Sequence, residues 1–303
     1  MRVQGIHHVT AIAGNPQGNL DFYRQALGLR LVKRTVNFDD PGSYHFYFGD
    51  DAGAPGTVMT FFAWPAGQRG QGGVGQPAAT AFRVPPGSLG YWAERLQGFD
   101  VVPSEVTERF GDEVMGFRDP DGLRLELVAG AHGATAVSGV VAGAIAGFHG
   151  VTLAEQRIEA TGRFLTETFG MEVAGQSGNR ARFLASGPLG AAVDLLELPA
   201  GTRGRTAVGT VHHVAFRARD EEEQAAWHAR LVDLGVHVTQ VLDRCYFRSI
   251  YFREPGGVLF EIATDAPGFA VDEPASALGG ALKLPPWLEG RRAEIEAALP
   301  AVR

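Results

Sequence analysis

Cysteine is nearly absent from this 303-residue chain: Cys245 stands alone, so no internal disulfide can form. That suits a reducing cytoplasm, which is the expected location. No apolar run approaches the roughly 18 residues of a membrane span. The opening stretch MRVQGIHHVTAIAG has no basic segment leading into an apolar one, so neither a span nor a leader is expected. Runs of Lys and Arg are missing too. The 27 basic and 34 acidic residues are interleaved to a formal charge of -7, which argues against a nucleic-acid partner. What remains is an ordinary globular composition, with length for one large domain or two of common size.

Glycine is plentiful, and with 17 prolines the 41 glycines cut the chain into short segments. Alternating, β-branched stretches such as GIHHVTAI and VHHVAFRA read as strands. NLDFYRQALG and EEEQAAWHARLVDLG read as amphipathic helices, each ending at a glycine suited to a helix C-terminus. The order strand, helix, three strands recurs four times, over residues 4–64, 78–130, 146–199 and 210–264. The expected fold is therefore α+β: four βαβββ modules in two pseudo-equivalent halves with curved, mixed sheets. The expected units are an N-terminal half (1–130), a Gly/Ala-rich linker (131–145), a C-terminal half (146–265) and a tail with a helix (266–303). In that tail, LPPWLEGRRAEIEAALP predicts a helix that starts at its prolines.

The repeat can be checked residue by residue. Gly5-Ile6-His7-His8-Val9-Thr10 matches Gly147-Phe148-His149-Gly150-Val151-Thr152, an offset of 142 that also carries Phe22 onto Phe164 and Gly28 onto Gly170. Ala81-Phe82-Arg83 falls on Ala215-Phe216-Arg217, and FRDPDGLRLELVA on FREPGGVLFEIAT. The halves differ where chemistry would sit. His8 faces Gly150, and His213 faces Ala79, while Glu261 and Glu126 are both acids. One set thus offers His, His and Glu, and the other Gly, Ala and Glu, as a duplicated scaffold would after losing one of two metal sites. Two imidazoles and a carboxylate on one face of a metal leave neighbouring positions open, the donor set of non-haem Fe(II) oxygenases. Successive strand residues point to opposite faces, so only one member of each His-His pair should reach a given cavity. Either member qualifies on these grounds. The other five histidines read as structural, with His45 the one able to approach a pocket.

The modules, with HHVT, RFGDEVMGFRDPDG, VHHVAF, YFRSIYFREPGGVLFEIATD and the tail ALGGALKLPPWLEGRR, resemble the vicinal oxygen chelate superfamily. Within it they resemble the hydroquinone ring-cleaving dioxygenases, such as dichlorohydroquinone 1,2-dioxygenase. The resemblance implies an extradiol-type enzyme that uses Fe(II), or Mn(II), to insert O2 into a para-diol aromatic. It assigns the metal to His8, His213 and Glu261, with the pocket between the first and fourth modules. It implies catalytic roles for His212, Arg244 and Tyr251, and supporting positions for His7 and Thr10. The expected partners are a small aromatic substrate and O2, with a homo-oligomer left open and no organic cofactor. A glyoxalase-like metal-dependent isomerase or transferase would normally carry more carboxylate at its metal, and a drug- or quinone-binding protein would lack the triad.

Overall fold

A computed structural model describes residues 1–130 and 143–303 of the chain. Residues 131–142 of the expected linker (131–145), His132 among them, lie outside the described residues. The first module is β1 (Ile6–Ala13), α1 (Pro16–Asp21), β2 (Arg30–Asn37), β3 (Asp40–Gly49) and β4 (Val58–Ala63). The second is β5 (Gln76–Val84), α2 (Leu89–Gln97), β6 (Thr107–Arg109), β7 (Asp112–Arg118) and β8 (Arg124–Ala129). The third is β9 (Gly147–Glu155), α3 (Glu159–Arg163), β10 (Glu172–Ser177), β11 (Arg180–Leu184) and β12 (Ala192–Glu197). The fourth is β13 (Val211–Ala218), α4 (Glu221–Asp233), β14 (Leu242–Asp243), β15 (Phe247–Arg253) and β16 (Leu259–Pro267). The four βαβββ units are present in the expected order.

Local chemistry explains the helices. Asp220 caps α4 by accepting from the Glu223 amide, and Glu221, Glu222 and Glu223 put negative charge at the positive end of the helix dipole. Trp227 and Leu231, four apart, are the buried stripe. Gly235, at φ +74°, then turns the chain into the left-handed region that suits glycine. In the tail the helix is shorter than expected: α5 spans Arg292–Ala298 and begins well after Pro285 and Pro286. The two prolines donate no hydrogen bond and Gly290 is a weak helix former, so Glu289–Arg291 make only a 3-10 turn and the α-helix starts beyond it. Its Ile295 and the nearby Leu288 and Leu299 are buried in the main core.

Two mixed eight-stranded sheets result, and each draws one module from each half of the sequence. One runs β14-β15-β16-β13-β1-β4-β3-β2, the other β10-β11-β12-β9-β5-β8-β7-β6. The central strands β1 and β13 pair antiparallel, as do β5 and β9. In β1, Val9 and Ala11 join the hydrophobic core, while His8 and Thr10 turn to the other face.

The alternation expected of these strands breaks at each histidine pair. Opposite β13, residues Ile6 and His8 pair with Phe216 and Ala215, so His7 is an extra residue in β1. Likewise Thr10 and Ala11 pair with His213 and Val211, making His212 extra in β13. The second sheet has the same β-bulges at His149 and Ala78. A bulge re-aims the side chains beside it. Because the bulges recur where Gly and Ala replace the histidines, they belong to the scaffold and not to the site.

Near the junction of the third and fourth modules, Glu155 is packed against Gly256 beside Glu254. Burial, then the Glu254 charge, raises its pKa to about 8. A carboxyl raised in the folded state favours folding fully below its unfolded value of about 4.3. That contribution is lost as pH rises through about 8. Glu155→Gln should therefore melt at the temperature of the parent protein near pH 4 and higher than the parent above pH 8, as thermal unfolding across that range would report.

Candidate metal centre

Three acceptor atoms meet in the first sheet. His213 Nε2 lies 2.9 Å from Glu261 Oε2, His8 Nε2 lies 3.4 Å from the same oxygen, and the two nitrogens are 3.4 Å apart. β1, β13 and β16 supply one residue each, and all three side chains are buried. Adjacent ligands on a divalent ion with bonds of about 2.1 Å are separated by roughly 3 Å, so the triangle fits one ion capping its face. Among the described residues this is the one cluster of His, Cys, Asp and Glu with such spacing.

The protons around the cluster fit a cation as well. His7 Nδ1 lies 2.9 Å from His8 Nδ1. With His7 as the acceptor, the His8 proton sits on Nδ1 and the His8 Nε2 lone pair faces the centre. His212 Nδ1 stands 2.8 Å from His213 Nδ1 and can fix that ring in the same way. Burial, then the adjoining imidazole, lowers both His7 and His212 to about 3, so both are neutral. The buried Ser249 hydroxyl donates to Glu261 Oε1, whereas Glu261 Oε2 is buried with no hydrogen-bond donor. Two lone pairs and an orphaned carboxylate oxygen facing one point are a repulsive arrangement without a positive ion.

Above the centre lies a cavity of about 320 Å³, at the small end for ligand pockets, which run roughly 300–1,000 Å³. Phe62, Trp64, Phe247 and Leu259 give it apolar walls. Tyr251, paired across the sheet with Glu261, and Arg244 bring hydroxyl and guanidinium groups to it. Arg244 Nε donates to the Tyr251 hydroxyl at 3.3 Å, and its Nη1 reaches Asp39 at 3.2 Å on the β2–β3 turn. Burial, then the Glu261 charge, pushes the Tyr251 phenol above its ordinary value, so it stays a donor.

Of the residues expected at the site, His8, His212, His213, Arg244, Tyr251 and Thr10 all line this cavity. His7 sits behind His8, out of the cavity. The expectation that only one histidine of a pair reaches a given cavity thus describes the first pair and fails for the second, where the bulge turns His212 and His213 to the same side.

His45, read above as a strand-packing residue, is also in the wall. Its Nε2 bonds Thr60 Oγ1 at 2.8 Å and its Nδ1 the Tyr47 hydroxyl at 2.9 Å, and Thr60 continues to Thr10 at 2.8 Å. Sequence reasoning passed over Tyr47, Thr60 and Ser249. A signal was there: His45 and Tyr47, like Ser249 and Tyr251, stand two apart on one strand and so share a face.

The sequence matches the family described as the Glyoxalase/Bleomycin resistance protein/Dioxygenase superfamily over residues 5–127 and 147–262. It is 47% identical over 302 residues to MhqO of Bacillus subtilis (strain 168), provisionally named a ring-cleaving dioxygenase, covering 98% of this chain and 96% of that one. It is 38% identical over 311 residues to a chlorohydroquinone/hydroquinone 1,2-dioxygenase of Sphingobium indicum, covering 97% and 95%. The crystal structure of a provisionally named dioxygenase from B. subtilis superposes with a TM-score of 0.94 at 46% identity, over 100% of this chain and 98% of the other.

If the three atoms hold a divalent ion, His213→Ala should abolish tight binding of Mn(II) or Zn(II) in a chelator-competition titration. His7→Phe should weaken it about tenfold to a hundredfold by freeing the His8 ring. Unchanged affinity in both variants would overturn the assignment.

Proposed function

This chain belongs to the Glyoxalase/Bleomycin resistance protein/Dioxygenase superfamily, and from that membership and the donor set at its centre we propose that it is an Fe(II)-dependent, extradiol-type dioxygenase that opens the ring of a hydroquinone-type substrate. The observation that carries the reading is the meeting of His8 Nε2, His213 Nε2 and Glu261 Oε2 beneath a cavity sized for a single ring. Iron held there supplies the one-electron chemistry by which O2 reacts with an aromatic ring, and Mn(II) suits the same donors. Two imidazoles with one carboxylate, and no second acid in the cluster among the described residues, support an oxygenase over a glyoxalase-like isomerase.

The chain's own residues orient the ring and manage charge and protons. Phe62, Phe247 and Leu259 hold the ring and exclude water. Arg244 and Tyr251 present donors where negative charge develops on oxygen, a contribution that such placed groups make without reorganising. His212, neutral with its Nδ1 engaged by His213, keeps Nε2 to carry a proton beside the substrate.

A second route for protons runs through Tyr47, His45, Thr60 and Thr10. These four groups make three hydrogen bonds, and each group owns one hydrogen, His45 being neutral. One hydrogen is left over, carried by the hydroxyl of Thr10 or of Tyr47, both of which line the cavity. Reversing all three bonds moves it from one end of the cavity wall to the other.

Two measurements test this. Protein loaded with Fe(II) under anaerobic conditions should consume O2 with hydroquinone and its chloro or methyl derivatives and release a yellow, ring-opened acid. No uptake with any diol, from protein holding one metal per chain, would sink the reading. Tyr47→Phe should retain metal and KM while lowering kcat about tenfold to a hundredfold and altering the solvent isotope effect. An unchanged kcat would remove the hydroxyl chain from the mechanism.

A further inference from the structure

The second sheet repeats the first site position by position and still holds a cleft. Gly150 and Thr152 stand where His8 and Thr10 do, Ala79 where His213 does, and Glu126 and Arg109 where Glu261 and Arg244 do. Thr10 pairs with Thr60 and Thr60 with Tyr47, as Thr152 pairs with Asp194 and Asp194 with Arg182. The same register puts Arg180 at the position of His45. With glycine and alanine replacing His8, His213, His212 and Tyr251, the cleft widens to about 860 Å³, against about 320 Å³ for the first. A side chain cannot simply be restored: a Cβ on Gly150 would sit 2.0 Å from the Ala192 carbonyl oxygen.

Guanidinium groups, and not imidazoles, surround the carboxylates of this cleft. Arg109 binds both oxygens of Glu126, at 2.8 and 2.9 Å. Arg182 bridges Asp112 and Asp194. Arg180 is different. Its Nη1 reaches Thr152 and Asp194, but its Nε and Nη2 have no partner among the described residues, although the side chain lines the cleft. Nε and Nη2 form the edge that grips a carboxylate at two points, as Arg217 grips Asp265 in this protein. The side chain of Arg124, also in the lining, makes no hydrogen bond or ion pair among the described residues, and Arg118 uses one side-chain N–H on the Gly122 carbonyl.

The acids facing the cleft are Glu126, already held by Arg109, Asp100, and Asp119, whose oxygens accept from the Leu123 and Asp121 amides and the Tyr23 hydroxyl. Burial and the neighbouring Arg109 charge lower the Arg180 pKa, a bias that an anion would offset. Beside these cations stand apolar groups: Leu196 in the lining, and Phe99 and Val102 on the loop after α2, which are 42% and 86% exposed.

We infer that this cleft is a second ligand site, distinct from the metal centre, that binds an aromatic carboxylate with its two oxygens on the Nε/Nη2 edge of Arg180 and its ring against Leu196 and the Phe99 loop. A planar two-oxygen anion matches the free edge better than a spherical one, and the exposed apolar wall favours a ring over a bare acid.

Calorimetric titration with benzoate tests the inference, with benzamide as the uncharged analogue and acetate as the ringless one. Benzoate should bind, and excess hydroquinone under anaerobic conditions should leave its affinity unchanged. Benzamide and acetate should each bind at least about tenfold more weakly. Arg180→Gln should lose about tenfold or more, and Arg180→Lys should lose a similar factor because it keeps the charge but not the planar edge. Equal binding of benzamide, competition by hydroquinone, or undiminished affinity in a folded Arg180→Lys protein would each overturn the proposal, as would no binding of benzoate at millimolar concentration.

Discussion

Three buried acceptor atoms that face one another make an arrangement that cannot rest without a positive charge between them. His8 Nε2, His213 Nε2 and Glu261 Oε2 are within 3.4 Å of each other, and no donor reaches the carboxylate oxygen. The surroundings are built to maintain that tension. His7 and His212 are placed to hold the imidazole protons on the far side of each ring, and Ser249 occupies only the other carboxylate oxygen. Contacts of this kind turn electron pairs inward, an arrangement that suits a cation.

The geometry depends on a local break in strand regularity. Without the bulges at His7 and His212, neighbouring residues would stay on opposite faces and the two histidine pairs would be aimed differently. Pseudo-symmetry makes the device reciprocal: each central strand bulges opposite its partner, so His8 and His213 approach from two sides while Glu261 arrives from the adjacent strand. The same bulges in the second sheet place Gly150 and Ala79 facing a retained carboxylate, Glu126.

The second sheet meets the same electrostatic demand by other means. Glu126 is paired by the Arg109 fork, and Asp112 and Asp194 by Arg182. A guanidinium supplies fixed charge and directed donors but no open coordination position, so these carboxylates are paired without the donor set of a metal. Small residues at the positions matching His8 and His213 then leave a wider cleft.

The sequence by itself determined the architecture, because duplication is written in residue identity. The offset that carries Gly5–Thr10 onto Gly147–Thr152 reveals the modules, and comparing His8 with Gly150 and His213 with Ala79 picks out the half that can hold a metal. Glu261 follows from the repeated closing strand, and the first-and-fourth-module pocket from the family resemblance. Tertiary structure decided that His8 without His7, but both His212 and His213, face the cavity, since period-two alternation is blind to a bulge. It also decided that His45, Tyr47 and Thr60 form one hydrogen-bonded wall with Thr10, because strands β3 and β4 meet β1 only through sheet register. Partners so far apart in the chain leave no mark on local pattern; their contacts exist only once the strands pair.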